Sequence, residues 1–230
     1  MKALIQSIEL QDVSFRYPGS REYVFQDLSV QINAEGITVV TGENGTGKST
    51  LALLLAGTLE PASGRILIDG IDIQNAERKP GYLHQNPENQ VIGLTCERDI
   101  AYGLENRAVP QEEIHRQVDT IMDALNIGHI RSHSVSEISG GEMQRVAIAG
   151  MLVMGHPYLI LDEPTSYLDY PSQAKLYELI SQLRTDGTGI LWITQYPNEQ
   201  ILGDDIFEIT SERIIERQFF TYKHSDNGTT

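Results

Sequence analysis

The order of hydrophobic and polar positions divides the chain into segments of two different periods. Two early segments, IELQDVSFRY and YVFQDLSVQI, alternate in polarity and are separated by PGS, which predicts two antiparallel strands joined by a turn. Ile37–Val40 consists of β-branched residues, as is typical of a buried parallel strand. Further strands are predicted at Tyr158–Leu161 and Ile190–Thr194, in alternation with helices from Gly141 and Pro171. This alternation predicts an α/β fold with a mostly parallel sheet and an N-terminal antiparallel β-subdomain.

The middle of the chain has the pattern of a helical insertion. GRILIDG and GYLHQ are short strand candidates before it. Gln111–Leu125 is predicted to be an amphipathic helix, with Gly128 beyond its end and one apolar face. That face consists of Ile114, Val118, Ile121, Met122 and Leu125. These segments and the helix from Gly141 predict a helical subdomain at about residues 86–153 of a domain that covers residues 1–222. Residues 223–230 are predicted to be a disordered tail.

Composition narrows the class of protein. The 230 residues include 17 basic and 32 acidic residues, for a net charge of −15. This balance argues against a nucleic-acid-binding protein, because such proteins neutralise phosphates with clustered Lys and Arg. No run approaches the ~20 apolar residues of a membrane-spanning helix, and the N-terminus lacks the apolar core of a signal peptide. The single cysteine, Cys96, is typical of a reducing compartment and is predicted to be a small buried hydrophobe.

The segment GENGTGKST follows the first predicted parallel strand and fits the P-loop pattern G-x-x-x-x-G-K-[ST]. Its glycines let the backbone curl round phosphates, and the helix that begins at Lys48 adds partial positive charge. Lys48 is a candidate for the outer phosphates and Ser49 for Mg²⁺. The alternative, a glycine-rich turn with a chance lysine, does not explain the strand and helix on either side. The predicted nucleotide-binding residues of this P-loop NTPase core are Gly42, Glu43, Asn44, Gly45, Thr46, Gly47, Lys48, Ser49 and Thr50.

The strand YLILDE ends in two acidic residues, at the position where α/β sheets place ligands. Asp162 is predicted to hold Mg²⁺ and Glu163 to polarise an attacking water. Alternatively, both acids cap the following loop. Their position downstream of the P-loop and directly before PTSYLD favours the catalytic interpretation.

The segment ISGGEMQR contains two glycines in a polar turn, which permits close approach of a ligand. Ser139 and Glu142 also form the S-x-x-E pattern of a capping box for the helix that begins there. Capping of this helix is therefore an alternative role for Glu142. The two interpretations are compatible, because a capped helix start still offers N–H groups to an anion.

In this order and spacing, GENGTGKST, ISGGE, LILDEP and TSYLD resemble the nucleotide-binding subunit of an ABC transporter, over roughly Ile8 to Ile215. The resemblance implies a head-to-tail dimer with two ATP molecules between P-loop and signature segments. Its signature residues are Ser139, Gly140, Gly141 and Glu142, which would meet the γ-phosphate on the opposite subunit. Ser166 and Asp169 would belong to the D-loop at the dimer interface. Tyr17 would stack on adenine, the alternative being an ordinary strand aromatic.

A narrower resemblance comes from HQNPENQVIG, CERDIAYGLEN and VAIAGMLVMGHP, which are similar to energy-coupling factor (ECF) transporter ATPases. That family imports vitamins or transition-metal ions at the cytoplasmic face of the membrane, with a transmembrane coupling subunit and a membrane substrate-binding subunit. The matching Gln85 is implied to sense Mg²⁺. The residues implied to dock on the coupling subunit are Gln85, Asn86, Pro87, Asn89 and Gln90. The alternative is an ordinary surface turn built from Asn and Pro.

Two positions depart from the family pattern. Tyr167 is bulky where the D-loop usually has a small residue, and Gln195 ends its strand where the family usually has a histidine. A glutamine side chain hydrogen-bonds a phosphate oxygen or a water, but it carries neither a proton nor a positive charge. The predicted catalytic residues are therefore Glu163 and Gln195, with slow ATP hydrolysis at this chain's own site.

Three functions remain open at this point. The first is the ATPase of an ECF-type importer, and the second is a soluble ABC ATPase that acts on DNA or ribosomes. The third is a degenerate, mainly structural nucleotide-binding subunit beside an active partner. The second function is less favoured. ABC ATPases of the DNA-repair type carry a long coiled-coil insertion between P-loop and signature, and those of the ribosomal type pair two such domains, but this sequence shows neither feature. The transported substrate and the choice between homodimer and heterodimer do not follow from the sequence.

Overall fold

The computed structural model describes residues 5–210 and 214–217, the last four by their backbone only. Within these ranges the strands are β1 (Ser7–Phe15), β2 (Phe25–Asn33), β3 (Ile37–Gly42), β4 (Ser63–Ile68), β5 (Ile71–Asp72), β6 (Gly81–Leu83), β7 (Tyr158–Asp162), β8 (Gly189–Ile193), β9 (Asp205–Ile209) and β10 (Ile214–Arg217). The helices are α1 (Lys48–Leu55), α2 (Cys96–Asn106), α3 (Gln111–Ala124), α4 (Gly140–Val153) and α5 (Tyr170–Thr185), with 3₁₀ helices at Pro87–Asn89, Gly128–Ile130 and Pro197–Leu202. The predicted tail at 223–230 lies outside the described residues.

The strands form two sheets. The order β2-β1-β4-β5 makes an antiparallel sheet of four strands, in which Ser7 pairs with Asn33 and Ile8 with Ile68. The second sheet has six strands in the order β10-β9-β3-β8-β7-β6, and all its neighbours are parallel except the edge pair β10 and β9. The predicted fold class, an α/β core with an antiparallel β-subdomain, is confirmed. The strands β5, β9 and β10 are additions that the sequence pattern did not reveal.

The parallel sheet is buried on both faces. Leu159, Leu161 and Trp192 belong to a core shared with α2, α3, α4 and α5, whereas Ile160 and Leu191 belong to a core shared with α1 and the antiparallel sheet. Successive residues of a strand point to opposite faces, which explains the division. It also explains why β7 and β8 are continuous apolar runs rather than alternating ones.

The helices α2, α3 and α4 pack against one another and form the predicted helical layer. α3 buries Ile114, Val118 and Met122 and ends at Ala124, one residue before the predicted end at Leu125. Cys96 is fully buried at the start of α2. The side chain of Thr95 caps α2 by accepting a hydrogen bond from the backbone N–H of Arg98. The subdomain limits of about 86–153 stay a prediction. In the described part of the chain, no helix combines the length and hydropathy that crossing a bilayer requires.

The carboxyl ends of β3, β6, β7 and β8 lie at one edge of the sheet, because these strands are parallel. The P-loop follows β3, Gln85 follows β6, Asp162 ends β7, and Gln195 follows β8. Segments that are far apart in the sequence thus meet at one edge. The topology therefore brings the candidate catalytic residues together before any side-chain contact is considered.

A substitution at Gly189, at the start of β8, tests how closely the strand packs against its surroundings. A Cβ atom on Gly189 would lie 1.9 Å from the backbone oxygen of Ala34, so Gly189→Ala cannot be accommodated without moving the backbone. We expect this variant to lower the free energy of unfolding by about 1–3 kcal/mol. Gly128→Ala is the matched control, since its new Cβ meets nothing nearer than 3.7 Å. Urea unfolding of both variants checks the expectation, which equal stabilities would contradict.

Candidate functional site

The P-loop contains three glycines with positive φ, Gly42, Gly45 and Gly47, and at two of them a side chain would also clash with its surroundings. Gly47 has φ 101°, and a Cβ there would lie 2.7 Å from Val24 and 2.9 Å from Phe25. Gly42 has φ 147°, and its Cβ would lie 2.3 Å from the backbone oxygen of Ile209. Both positions therefore exclude a side chain for steric as well as conformational reasons.

The N-terminus of α1 is open toward the loop. Gly47 caps it without a side-chain hydrogen bond, and its first turn carries no acidic residue. By contrast, Ser139 caps α4 and Asp169 caps α5 through their side chains. The first N–H groups of α1 and its partial positive charge are thus available to an anion such as a phosphate.

Lys48 is buried at 6% exposure, and its Nζ atom donates hydrogen bonds of 2.8 Å to the carbonyl oxygens of both Gly42 and Glu43. Burial lowers the pKa of Lys48, an effect that nearby Glu163 and Asp162 partly offset. The ammonium group is therefore held by the loop itself, at the place where outer phosphates would bind. Glu43, Asn44 and Gly45 are exposed, and the Thr46 hydroxyl donates to the Glu43 carbonyl over 2.9 Å.

Tyr17 lies two residues beyond the end of β1, so it is not an ordinary strand aromatic. Its hydroxyl shares a 3.0 Å hydrogen bond with the hydroxyl of Thr50 in α1, and its ring packs edge-on against Phe15. The ring remains 42% exposed. It is thereby oriented beside the loop with surface available for stacking on a flat ligand.

Asp162 has the character of a cation ligand. It is 1% exposed, and its Oδ1 atom has no hydrogen-bond partner among the described residues, while Tyr82 donates to Oδ2 over 3.3 Å. Burial raises the pKa of Asp162, although a hydrogen bond from Ser49 acts in the opposite direction. An unpaired buried carboxylate oxygen is costly unless something binds it. The site therefore fits Mg²⁺, which prefers oxygen ligands.

Glu163 accepts hydrogen bonds from side chains of three different segments. Its Oε2 atom accepts hydrogen bonds from Gln85 Nε2 at 3.0 Å, Ser166 Oγ at 3.1 Å and Gln195 Nε2 at 3.3 Å. The backbone of Glu163 has φ 47°, which is uncommon for a residue with a side chain. The predicted catalytic pair Glu163 and Gln195, and the predicted sensor Gln85, are thus in direct contact.

These groups line one cleft of about 450 Å³. Its wall contains Tyr17, Val24, Asn44, Gly45, Gly47, Lys48, Ser49, Thr50, Gln85, Glu163 and Gln195. A larger cleft of about 630 Å³, lined by Arg78, Lys79, Arg107 and His156 among others, contains none of the predicted nucleotide-binding, metal or catalytic residues. The convergence of motifs, rather than volume, identifies the candidate site.

The signature residues do not line this cleft. Ser139 and Glu142 form a full capping box, in which Glu142 Oε2 accepts from the Ser139 backbone N–H at 2.8 Å. The hydrogen bonds from Ser139 hold the pKa of Glu142 below its ordinary value. Gly140 and Gly141 lie against Tyr167, whose backbone oxygen would be 2.9 Å from a Cβ on Gly141. The structural role expected for Glu142 is confirmed.

Hydrogen bonds within segment 85–90 and to the residues just before it fix the conformation of this segment. Asn86 caps the 3₁₀ helix that begins at buried Pro87, and the Gln90 side chain accepts from the His84 backbone at 2.9 Å and donates to the Tyr82 carbonyl at 3.3 Å. Asn89 faces outward. Beside the segment lies a groove of about 220 Å³ whose walls include Tyr82, Gln90, Ile92, Asp99, Tyr102 and Gly103.

Two buried polar residues near the site were missed from the sequence. Gln144 in α4 donates a 3.0 Å hydrogen bond to the backbone oxygen of Pro164, directly after Glu163. Glu199 is 3% exposed and bonds to Thr165. Gln144 lies within the segment ISGGEMQR, but nothing in the sequence assigned it a role of its own. Glu199 belongs to no motif considered above, and its only sequence signal is an acidic residue close to Gln195.

Comparison with known proteins places the chain in a class. Residues 25–166 match the ABC transporter family. The chain is 39% identical to the energy-coupling factor transporter ATP-binding protein EcfA1 of Thermotoga maritima, over 92% of this chain and 85% of the relative. It is 35% identical to the cobalt import ATP-binding protein CbiO of Syntrophus aciditrophicus, over 90% and 76%. The chain therefore belongs to the ABC transporter family, as the sequence motifs predicted.

Solved structures agree with this assignment. The structure of cbiO1 from Clostridium perfringens, part of the ABC transporter complex cbiONQ, matches with a TM-score of 0.76 and 28% identity, over 90% of this chain and 86% of that one. The dimeric ATP-binding cassette MJ0796 matches with a TM-score of 0.83, over 93% and 100%, and its 24% identity supports the fold alone. More particularly, the chain is an ATPase subunit of the ECF and CbiO type of ABC importer.

The P-loop geometry leads to a direct test of nucleotide binding. Lys48→Ala removes the ammonium group that the carbonyl oxygens of Gly42 and Glu43 hold in the loop. We expect ATP affinity to fall about 10- to 100-fold, because a hydrogen bond to a charged group contributes about 1.5–3 kcal/mol. Lys175→Ala, at an exposed position of α5, removes the same charge away from the loop and is the matched control. Equal ATP affinities of the two variants in calorimetric titration would refute the P-loop assignment.

Proposed function

We propose that this chain binds and hydrolyses ATP to power an ECF-type importer of a vitamin or a transition-metal ion through ATP-driven closure of a dimer. The observation that carries the proposal is the convergence on Glu163 of Gln85, Ser166 and Gln195, beside the P-loop lysine. These groups come from different strands of the sheet, and each suits one part of a phosphoryl-transfer site. The chain's ECF relatives support the importer over ABC ATPases that act on DNA or ribosomes.

Three features of the site support ATP binding. The N–H groups of residues 42–50 and the uncapped start of α1 surround the phosphates. Lys48 would exchange its hydrogen bonds to Gly42 and Glu43 for phosphate oxygens, with little change in position. The adenine ring would stack on Tyr17, which the hydrogen bond to Thr50 already orients. Binding thus uses groups that the fold has largely pre-organised.

Mg²⁺ would be held by the hydroxyl of Ser49, the Oδ1 atom of Asp162 and the side chain of Gln85. When bound, the ion neutralises charge on the transferred phosphate. The unpaired Oδ1 atom of Asp162 supports this role most directly. Gln85 meanwhile donates to Glu163, so binding of the ion would also change what Glu163 contacts.

Glu163 is the group that we propose orients and polarises the attacking water. All three of its side-chain hydrogen bonds go to Oε2, and among the described residues none reaches Oε1. The Oε1 atom is therefore free to accept a hydrogen bond from water. Positioned acid–base groups typically contribute ~10²–10⁴-fold to rate, so Glu163 is expected to be the main determinant of turnover.

Gln195 is expected to make hydrolysis slow rather than absent. Its amide lies 3.3 Å from Glu163, at the rim of the phosphate cleft, where it offers the γ-phosphate a neutral hydrogen bond. A charge-assisted hydrogen bond would be roughly twice as strong. We infer that the chain pairs preferentially with a second ABC ATPase whose strand ends in histidine, and that this chain's signature completes the partner's faster site.

The dimer explains why the signature residues lie outside the cleft. In a head-to-tail pair, Ser139, Gly140, Gly141 and Glu142 would face the γ-phosphate of the opposite subunit, and Ser166 and Asp169 would lie at the interface. The capping box is compatible with this, since it fixes the start of α4 and occupies the N–H of Glu142, while the other N–H groups of the first turn have no partner within the helix and could bind an anion. The MJ0796 cassette, which has the same fold, is dimeric in its solved structures.

The membrane partners would bind beside segment 85–90. The groove between this segment and α2 combines exposed apolar side chains, Ile92 and Tyr102, with the carboxylate of Asp99. We propose that Gln85, Asn86, Pro87, Asn89 and Gln90 form one side of the docking site for a helix of a transmembrane coupling subunit. The chain would then sit peripherally at the cytoplasmic face of the membrane, with a separate membrane subunit binding the substrate.

A second candidate function rests on Gln195 alone: a mainly structural subunit that binds ATP without spending it. The same site supports both, because ATP binding does not require the residue at position 195. Turnover at this chain's own site separates them.

The assay is steady-state ATP hydrolysis by the purified complex with the partner's own site inactivated. Gln195→His should raise turnover severalfold and leave ATP affinity nearly unchanged, because the added group acts mainly on the transferred phosphate. Glu163→Gln should lower turnover by about 10²-fold or more and trap an ATP-bound closed dimer. A lower rate for Gln195→His would show that Gln195 is itself adapted for catalysis, and zero turnover of the native chain would establish the structural function.

Docking is tested on the outward face of segment 85–90. Asn89→Arg should uncouple transport from ATP hydrolysis without loss of ATP binding, because Asn89 is exposed and lies away from the phosphate cleft. A bulky change at Val91, which packs partly against the helical core, should act similarly. Gln74→Arg, exposed near β5, is the charge-matched control. Unimpaired uptake by the reconstituted Asn89→Arg complex would contradict the docking site.

A further inference from the structure

Glu199 is a buried acid that the nucleotide site does not use. It is 3% exposed and accepts three hydrogen bonds, from Thr165 Oγ1 at 2.7 Å, Tyr177 OH at 2.8 Å and Trp192 Nε1 at 2.9 Å. All three donors are neutral groups. Burial of a carboxylate is costly even when it is well hydrogen-bonded, and an apolar side chain of similar volume would usually stabilise the fold at least as well. The presence of an acid here therefore calls for a role other than filling space.

The position of Glu199 suggests that role. It lies in the 3₁₀ helix Pro197–Leu202, four residues after Gln195, and its partner Thr165 lies two residues after Glu163. The hydrogen bond between Glu199 and Thr165 therefore joins the two loops that carry the candidate catalytic side chains. The third donor, Trp192, is on β8 immediately before the Gln195 loop and anchors the carboxylate to the sheet.

The loop after Glu163 is held from several sides. Gln144 in α4 donates to the backbone oxygen of Pro164, and Gln173 in α5 donates to the backbone oxygen of Leu168 over 3.1 Å. Within this loop, Ser166 donates to Glu163 itself. The positive φ of Glu163 is a conformation that persists only where its surroundings determine it strongly. The bond from Thr165 to Glu199 is the only one of these contacts that ends on the Gln195 loop.

We propose that Glu199 is a positioning residue for ATP hydrolysis: through Thr165 it fixes the Glu163 loop relative to the Gln195 loop. This inference rests on the proposed function. Water oriented by Glu163 and a γ-phosphate bound by Gln195 have to be placed relative to each other, and a small misplacement of catalytic groups costs a large factor in rate. Glu199 acts on neither substrate directly, so it should affect kcat and not the binding of ATP.

The Oε1 atom of Glu199 supplies a matched pair of variants. It accepts both from Thr165, in the catalytic loop, and from Tyr177, in the middle of α5. Thr165→Val and Tyr177→Phe each delete one hydroxyl donor to the same oxygen atom and change side-chain size little. A purely structural Glu199 predicts that the two variants behave alike. A positioning Glu199 predicts that only Thr165→Val alters catalysis.

The experiment measures kcat, KM for ATP and Tm of the purified complex for both variants, with the partner's own site inactivated. We expect both to lower Tm by about 2–4 °C. Thr165→Val should lower kcat about tenfold with KM unchanged within about twofold, and Tyr177→Phe should leave kcat within about twofold of the native value. Thr165→Ser, which keeps the hydroxyl, should restore most of the lost rate.

Equal kcat values for Thr165→Val and Tyr177→Phe would overturn the proposal, and so would a Thr165→Ser variant as slow as Thr165→Val. A loss that appears in KM rather than in kcat would also overturn it. Glu163→Gln, measured in the same preparation, separates this result from the proposed function. If Glu163→Gln retains native turnover or the native complex hydrolyses no ATP at this site, the proposed function fails and the inference fails with it.

Discussion

The burial of the six-stranded sheet on both faces is the constraint on which the rest of the structure depends. Residues such as Leu161 and Ile160 are neighbours in sequence but belong to opposite cores, one under the helical layer and one under α1 and the antiparallel sheet. A sheet covered on both sides leaves only its edges and strand ends open to ligands. The phosphate loop, both acids of the YLILDE strand and Gln195 accordingly lie at the carboxyl ends of its strands.

That edge combines attraction and repulsion toward a nucleotide. The chain carries a net charge of −15, and two carboxylates, Asp162 and Glu163, lie in or beside the cleft where phosphates would bind. Lys48 and the uncapped start of α1 supply positive charge, while Asp162 presents an unpaired oxygen that suits a cation. Binding of ATP with Mg²⁺ would satisfy each of these groups at once, because the cation would offset the charge of the carboxylates and of the phosphates. The electrostatics of the site therefore support a nucleotide–metal complex over a free anion.

Glu163 and Glu199 illustrate two uses of a buried carboxylate. Each accepts three hydrogen bonds from neutral donors. Those of Glu163, which lines the cleft, all go to one oxygen atom, whereas both oxygen atoms of Glu199 accept hydrogen bonds inside the protein. The first arrangement suits interaction with a reactant, and the second suits the fixing of loops. Hydrogen bonds in the protein interior are stronger and less easily exchanged for water than those at the surface. The proposed roles of Glu199, which fixes the two loops, and of Glu163, which orients water, are thus complementary.

The fold class, the phosphate loop and the family were all predictable from the sequence, because strand and helix periodicity and the spacing of short motifs are local properties that the chain has in any conformation. It also gave α3 and the capping box at Ser139 almost to the residue. Two sets of contacts became evident only from the folded chain: Gln85, Ser166 and Gln195 all donate to one oxygen atom of Glu163, and Glu199 contacts Thr165, 34 positions away in the sequence. Such contacts depend on strand order and register, in which β3 lies between β9 and β8. No local pattern encodes that order, since it results from how the two cores pack against the sheet.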